Sequence, residues 1–255
     1  MTVETKKIVK FCEDYLRVKN WTDFCLNGPQ IEGAPKVSKI ITGVSLSKKL
    51  IEIAVKKRAK MIIVHHGIFI RSLPSPLVLR GFMKERIKMI LANDINLLGF
   101  HLPLDAHPVI GNNISLAKLL GMEKAKAFTD FEHGEVGFIG QLKKSVSFKE
   151  FIALVNEKLQ TNSYIISAGP KKIKTIAIVS GGASSDFKIA ADLGADTFLC
   201  GDIREDIVRA VEETRINFIN AGHYNTEKIG IQNLGALISR QFKIKTEFID
   251  IPNDI

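Results

Sequence analysis

Short apolar runs alternate with helical patterns through most of this chain, and this alternation restricts the fold more than any other feature of the sequence. The runs VSKIITGV, KMIIVHH and INLLGFH predict strands, and the segments between them have apolar residues at helical spacing. Ser47 is a candidate cap for the first helix, as are the asparagines that open NNISLAKLLG. Because such alternation is typical of βαβ units, we predict an α/β fold with largely parallel sheets covered on both faces.

The last third of the chain repeats the pattern, which suggests a weak internal duplication. AKMIIVHH can be placed over ADTFLCGD, and INLLGFHLPLD over INFINAGHYNTE with one extra residue. The second overlay places His101 on His223, and a carboxylate follows each histidine by four residues. The alternative interpretation is that all βαβ units resemble one another.

The sequence predicts two α/β domains. We place the boundary at about residue 127, which gives an N-terminal domain at 1–127 and a C-terminal domain at 128–255. The pattern of predicted elements changes character there, although no linker rich in Pro, Gly or Ser marks the position.

Four of the six histidines stand where predicted strands end, namely His65, His66, His101 and His223. Ligands of parallel α/β sheets bind at the carboxyl ends of strands, so these imidazoles are candidates for one site. Neighbouring side chains of an extended strand point to opposite faces, so His65 and His66 are expected to diverge. Gly67 allows the chain to turn, and the pair could then serve two ions or flank one.

A carboxylate follows two of these histidines at the same spacing. Glu227 follows His223 by four residues, and a helix places such a pair on one face, where both can reach a metal. Asp105 follows His101 by four residues, but Pro103 stands between them. Since proline disfavours a helix interior, we expect a tight loop for this second pair.

Imidazole and carboxylate ligands without sulfur suit Zn, Fe, Mn, Ni or Co, and the residues do not distinguish these metals. The candidate ligands for two divalent ions are His65, His66, His101, Asp105, His223 and Glu227. Two such ions can hold a hydroxide and clamp a substrate oxygen. Their charge exceeds that of the two carboxylates, so the centre would attract a phosphorylated or otherwise anionic ligand.

Three further features are weaker candidates. His133 could act as an acid or base near the metals, and Asp202 could contact the substrate or a ligand. The segment SGGASSD at 180–186 follows a strand and could bind an anion through its amides, or it could be only a tight turn. His107 precedes a proline and is expected to be a loop residue.

The net charge of +9 comes from 36 basic and 27 acidic residues. The basic clusters at 48–60, 80–89 and 171–174 fit solvated helix faces, an anionic substrate or a nucleic-acid backbone. No zinc-finger spacing or ribonucleoprotein motif supports nucleic acid directly. No apolar run of transmembrane length and no signal peptide is evident, so we expect a cytoplasmic protein without a membrane partner.

The motifs VHHG, GFHLPLDAHPVIGNNISLAKLLG, TFLCGDIRE and AGHYNTEKIGIQNL resemble the dinuclear-metal-centre proteins named GTP cyclohydrolase 1 type 2 homologues. The resemblance spans nearly the whole chain. The residues that match the family's metal ligands are His65, His66, Asp105, His223 and Glu227. Glu227 matches the position expected to touch both ions, and His101 matches a further histidine close to the metals in some members.

The resemblance implies a two-domain α/β subunit with two metal ions in the cleft between its domains. It also implies a homohexamer, a trimer of dimers with a central opening. The function it suggests is metal-dependent hydrolysis of a phosphorylated or nucleotide substrate, with GTP attacked at C8 of the guanine. The alternative is a non-catalytic, metal-containing ring protein that binds nucleic acid or has a regulatory role.

Overall fold

The computed structural model of the protein describes residues 1–69, 77–128 and 134–253. In chain order its helices are α1 (Thr5–Tyr15), α2 (Lys48–Lys56), α3 (Gly81–Ala92), α4 (Leu102–Asp105), α5 (Asn112–Leu119), α6 (Phe148–Leu159), α7 (Phe187–Asp192), α8 (Glu205–Thr214) and α9 (His223–Phe242). Within the described residues, no helix combines the length and the apolar character that crossing a membrane requires.

The strands confirm the predicted α/β class. They are β1 (Val3–Glu4), β2 (Gly28–Ile31), β3 (Lys36–Val37), β4 (Lys39–Ser45), β5 (Met61–His66), β6 (Asn96–Gly99), β7 (Met122–Phe128), β8 (Gly137–Ser147), β9 (Tyr164–Ser167), β10 (Lys172–Ile178), β11 (Thr197–Cys200), β12 (Asn217–Asn220) and β13 (Lys245–Phe248).

The chain forms two compact units. The first unit consists of Met1–Leu104 and Gly230–Ile251, and the second consists of Asp105–Ile229 and Pro252–Ile255. The boundaries fall within α4 and α9, whereas the sequence predicted one boundary near residue 127. The chain returns to the first unit because β13 pairs with β4 at the edge of that unit's sheet.

The first unit is built on a five-stranded sheet with the order β13-β4-β5-β6-β2. Neighbours from β13 to β6 run parallel, and β2 is antiparallel to β6. The pairing of Val64 with Gly99 aligns the carboxyl ends of β5 and β6. Both strands therefore end at the same edge of the sheet, and the histidines of the predicted metal site stand at this edge.

The second unit is built on a six-stranded sheet with the order β7-β8-β10-β11-β12-β9. Its three central strands β10, β11 and β12 run parallel, whereas the outer strands pair in antiparallel fashion. Ile176 and Ile178 pack into one apolar cluster with α5 and α6, and Ala177 and Val179 pack into another with α7 and α8. Helices therefore cover both faces of this sheet, as alternating side chains require.

The two sheets place the overlaid segments at equivalent positions. In the first unit β5 lies between β4 and β6, and in the second β11 lies between β10 and β12, with all of these neighbours parallel. The overlay of the sequence matches β5 with β11 and β6 with β12. The strand positions are those that either the proposed duplication or the general similarity of βαβ units would give, and the duplication stays a prediction.

Two predicted helix caps had different outcomes. The Ser47 side chain accepts a hydrogen bond from the Leu50 amide at 3.2 Å, so its capping role is confirmed. At α5 the residue before the helix is Gly111, and Asn112 and Asn113 lie inside the first turn. Both asparagine side chains are buried and make contacts beyond their own helix.

Candidate metal centre

Three imidazoles of the first unit lie close together. The ring centroid of His65 is 4.6 Å from that of His66 and 4.9 Å from that of His101, and His66 and His101 are 5.5 Å apart. Each ring offers a nitrogen within 4.8 Å of those of the other two. The divergence expected of a fully extended strand does not occur. The His66 ring turns toward its neighbour at the last residue of β5, in line with the alternative that the chain turns at the strand end.

Contacts at the Nδ1 nitrogens orient these imidazoles. The His65 Nδ1 lies 2.9 Å from the Phe100 carbonyl oxygen, and because a carbonyl can only accept, the proton of this ring belongs on Nδ1. The Nε2 atom then carries the lone pair that a metal requires. The His66 Nδ1 contacts the Ser45 hydroxyl at 3.0 Å across the β4–β5 pairing. Such outer contacts fix both tautomer and orientation at metal sites.

Asp23 orients His101. Its Oδ1 atom lies 3.0 Å from the His101 Nδ1, and the side chain is only 2% exposed. Burial alone would raise the pKa of Asp23, but the hydrogen bond and the charge of His101, with bonds from the Cys25 amide and the Asn27 side chain, lower it to about 2. The carboxylate is therefore ionised at neutral pH and holds the proton of His101 on the ring nitrogen that faces it.

The hydrogen bonds of Asp23 also argue against a separate site at this place. Asp23, Cys25 and His101 have possible ligand atoms within 4.8 Å of one another. However, both carboxylate oxygens already accept bonds, from the amides of Cys25 and Leu102, from the Asn27 side chain and from His101. A carboxylate with this many donors orients its neighbours and has little capacity left for a metal.

Asp105 stands in the second unit at the end of α4. This short helix corrects the loop that was expected from Pro103. Proline is tolerated because it lies in the first turn, where an amide would have no partner within the helix. The Leu104 amide bonds the His101 carbonyl at 2.7 Å and closes the turn.

The carboxylate of Asp105 is buried and held by two donors. The Asn112 side-chain amide donates to its Oδ1 atom at 2.8 Å, and the Ser180 hydroxyl donates to the same atom at 3.0 Å. The Asn113 side chain accepts a hydrogen bond from the Ser180 backbone amide at 2.6 Å and so supports Ser180. The two asparagines that the sequence suggested as helix caps therefore fix a predicted ligand.

His223 and Glu227 form the predicted pair on one helix face. They lie in the first turns of α9, with the His223 Nε2 atom 3.2 Å from the Glu227 Oε1 atom. The glutamate side chain is 3% exposed and the histidine side chain 36% exposed. This arrangement gives a buried carboxylate and a more accessible imidazole that can bind the same ion.

The glycine turn after β10 packs closely against this pair. Gly181 has a φ of +70°, and a Cβ atom at this position would overlap the Glu227 carboxylate and lie 3.2 Å from the His223 Nε2 atom. The Gly181 amide donates to the Thr226 hydroxyl at 3.0 Å. The turn therefore contacts both carboxylates of the second unit: Ser180 bonds Asp105, and Gly181 packs against Glu227. Anion binding by its amides stays a prediction.

The weaker candidates have varied positions. The Asp202 carboxylate accepts bonds from the Ser184 amide at 2.8 Å and the Ser184 hydroxyl at 2.9 Å, so it stabilises the glycine turn. Its proposed contact with substrate stays a prediction. His107 is a loop residue whose Nδ1 accepts from the amides of Val109 and Ile110, as expected. His133 lies outside the described residues.

The donor set fits divalent metal ions. The His65 tautomer leaves Nε2 as its metal-binding nitrogen, and clustered imidazoles and buried carboxylates without thiolates suit borderline or hard divalent ions. The clustered histidines were identified from the sequence because they stand at or directly after the ends of predicted strands. It gave no signal for Asp23, which lies in an irregular segment, or for Ser180 as a partner of Asp105.

Comparison with known proteins identifies relatives over nearly the whole chain. The sequence profile of Duf34/NIF3 (NGG1p interacting factor 3) matches residues 3–254. A Haemophilus influenzae protein named GTP cyclohydrolase 1 type 2 homolog is 40% identical over 234 residues, which cover 91% of each chain. A Pseudomonas aeruginosa protein of the same name is 36% identical over 253 residues, which cover 99% of each chain.

A solved structure has a similar fold. A protein described as ybgI, of unknown function, superposes with a TM-score of 0.92 at 35% identity, covering 99% of this chain and 100% of that one. The resemblance that the motifs indicated is therefore confirmed, and the chain belongs to the Duf34/NIF3 family.

Proposed function

We propose that the protein is a metal-dependent hydrolase that acts on a phosphorylated or nucleotide substrate. The observation that carries this proposal is the cluster of His65, His66 and His101, whose rings are oriented by a carbonyl, a hydroxyl and a buried carboxylate. Three imidazoles fixed in this way are typical of sites that bind a metal and leave positions open for chemistry.

The proposed ligands of two divalent ions are His65, His66, His101, Asp105, His223 and Glu227. When bound, such ions supply Lewis-acid stabilisation of developing negative charge and lower the pKa of water. The buried carboxylate of Glu227 has two oxygens and could serve both ions. The more exposed His223 is suited to a position where substrate and solvent enter.

The substrate class follows from charge and from the relatives. The chain carries a net charge of +9, which favours anionic ligands. Relatives carry the name GTP cyclohydrolase 1 type 2 homolog, so GTP is the first substrate to assay. Hydrolytic attack at C8 of the guanine would release formate, and rearrangement would give dihydroneopterin triphosphate.

The test combines elemental analysis with a substrate assay. We expect the purified protein to contain divalent metal and to convert GTP with a rise in pterin fluorescence, and we expect His65→Ala and Glu227→Ala to lose both properties. His107→Ala is the matched control, because this histidine caps a loop. Turnover of GTP that is equal in wild type and both ligand variants would refute the assignment. A metal-loaded protein without GTP turnover would restrict the proposal to other anionic substrates, tested in a metabolite screen.

The alternative function, nucleic-acid binding by a metal-containing ring protein, has less support. Lys57 and Lys48 belong to the basic cluster at 48–60. Lys57 pairs with Glu247 at 2.8 Å, and Lys48 pairs with Glu52 at 3.8 Å. These pairs fit solvated helix faces better than a phosphate-binding surface. Affinity for DNA or RNA that falls steeply with salt would favour the alternative.

We also propose the homohexameric assembly, a trimer of dimers, that the family resemblance implies. Its expected mass is about six times the 28.3 kDa of one chain. Light scattering on the purified protein tests this, and a monomeric mass would contradict it.

A further inference from the structure

The first unit contains a large cavity that is separate from the candidate metal ligands. It has a volume of about 890 Å³ and lies between α1 and the face of the sheet formed by β2 and β6. None of the six proposed metal ligands lines it. Cavities of this size are typical of sites for small molecules.

The floor of this cavity is apolar. Pro29 and Leu98 face each other across the β2–β6 pairing. Ile31 pairs instead with Leu97, and its side chain packs against the apolar cluster on the other face of the sheet. Val9 of α1 lines the opposite side. The polar side chain of Asn96 already has hydrogen-bond partners. Its oxygen accepts from the Gly33 amide, and its nitrogen donates to the Ala34 carbonyl. A ligand would therefore place an apolar body here.

The rim carries charges that are not all neutralised. Lys10 pairs with Asp14 at 2.7 Å, and Glu4 pairs with Lys7 at 3.4 Å. Among the described residues, no ion pair of 4.0 Å or less involves Lys6 or Lys36. The remaining charges of the rim are Lys19, Glu13 and Glu32.

Lys6 and Lys36 belong to the same end of the cavity. Lys36 is the register partner of Glu4, and the Thr5 amide bonds the Pro35 carbonyl at 2.9 Å, which joins the start of α1 to β3. Glu13 lies toward the other end of the helix, where its carboxylate covers Gly28. The cavity thus combines a cationic end with an apolar floor.

We propose that this cavity binds a soluble amphipathic anion, with its apolar body on Val9, Pro29 and Leu98 and its carboxylate, sulfonate or phosphate group on Lys6 and Lys36. This site is independent of the metal-dependent activity. Ionic contacts at one end would orient the ligand, and burial of the apolar body would supply most of the affinity.

The test uses 8-anilinonaphthalene-1-sulfonate as a fluorescent probe and decanoate as a competitor. We expect the full-length protein to bind the probe saturably and decanoate to displace it, whereas decylamine should not. The double variant Lys6→Gln/Lys36→Gln should weaken decanoate binding about tenfold, because two charged contacts are lost. Val9→Trp should fill the cavity and reduce probe binding, with its fold checked by circular dichroism.

The matched control is Lys143→Gln/Lys144→Gln. These lysines border a smaller apolar groove of about 400 Å³ in the second unit, and their replacement should leave decanoate affinity unchanged. An equal loss in both double variants, or equal competition by decylamine, would overturn the proposal. Two further results would overturn it. One is that decanoate displaces the probe only when the oligomeric mass also changes. The other is that the protein cosediments with phosphatidylglycerol vesicles and that this depends on Lys6 and Lys36.

Discussion

At the scale of single residues, the candidate site depends on side chains that do not belong to the proposed ligand set. Asp23 is the clearest case, since it is buried and contacts His101 through the nitrogen opposite the one that a metal would use. Its pKa of about 2 keeps it ionised through the neutral range. It should therefore matter for metal binding without touching a metal.

We predict that Asp23→Asn lowers metal affinity by about 10- to 100-fold, because an amide no longer fixes the tautomer of His101. Titration of the chelator-stripped protein with Co²⁺ measures both the affinity and, from the absorption spectrum, the ligand geometry. Asp14→Asn is the control, since Asp14 forms an exposed pair with Lys10. Unchanged affinity and spectrum in Asp23→Asn would show that His101 needs no such partner.

Gly181 permits a second prediction, because a matched glycine is available. Gly181 and Gly194 have φ values of +70° and +78°, but a Cβ atom would meet Glu227 at the first position and nothing within 4 Å at the second. Gly194→Ala should cost roughly 1–2 kcal/mol from backbone strain alone. Gly181→Ala should cost more and should also weaken metal binding, since the Glu227 carboxylate must move.

Denaturant unfolding and metal titration of the two variants measure these effects. Equal loss of stability, with metal affinity retained in both, would contradict the close packing of the glycine turn against Glu227.

At the scale of secondary structure, two helix caps differ in a way that pH can reveal. At α6, Ser147 caps the Glu150 amide, and the Glu150 carboxylate accepts from Ser147 in return. Hydrogen bonds from the Ser147 hydroxyl and amide lower the pKa of Glu150 below its ordinary value of 4.5. The stabilisation is therefore present above that value and is lost as the pH falls through the lowered pKa.

We predict that Ser147→Ala destabilises the protein by about 1 kcal/mol at pH 7 and by less at pH 3. Ser47→Ala at α2 should cost a similar amount at both pH values, since its third helical residue is Leu50 and no carboxylate reciprocates. Urea unfolding at the two pH values measures the difference. The same loss at pH 3 and pH 7 in Ser147→Ala would exclude a contribution from ionised Glu150.

The elements also show what the sequence could not reveal. Hydrophobic periodicity predicted the helices and strands around the histidines, because buried strands and amphipathic helices have distinct repeats. It failed at α4, where the helix-breaking effect of Pro103 depends on its position within a single turn. Asn112 and Asn113 were expected as caps. Their burial is favourable because Asn112 donates to the carboxylate of Asp105 and Asn113 accepts from the amide of Ser180, which is distant in sequence.

At the scale of the whole molecule, the return of the chain to the first unit could not be read from the sequence. The 20 residues of α9 form one continuous helix, although Ile229 and Gly230 belong to different units. Helical periodicity carries no information about which sheet a helix covers. Strand ends are more informative, since parallel strands bring their carboxyl ends to one edge, and the histidine cluster was predicted on that basis.

The last prediction concerns how metal stabilises the whole molecule. A metal that binds only the folded state raises its stability by about 2.7 kcal/mol at a free concentration one hundred times the Kd. We therefore expect chelation to lower the Tm of the wild type and added metal to restore it. His65→Ala in the first unit and Glu227→Ala in the second should each lose most of this response, whereas His107→Ala should keep it. Thermal unfolding with and without chelator measures the shifts. If only one of the two ligand variants lost the response, the proposed ligand set would have to be reduced to the residues of that unit.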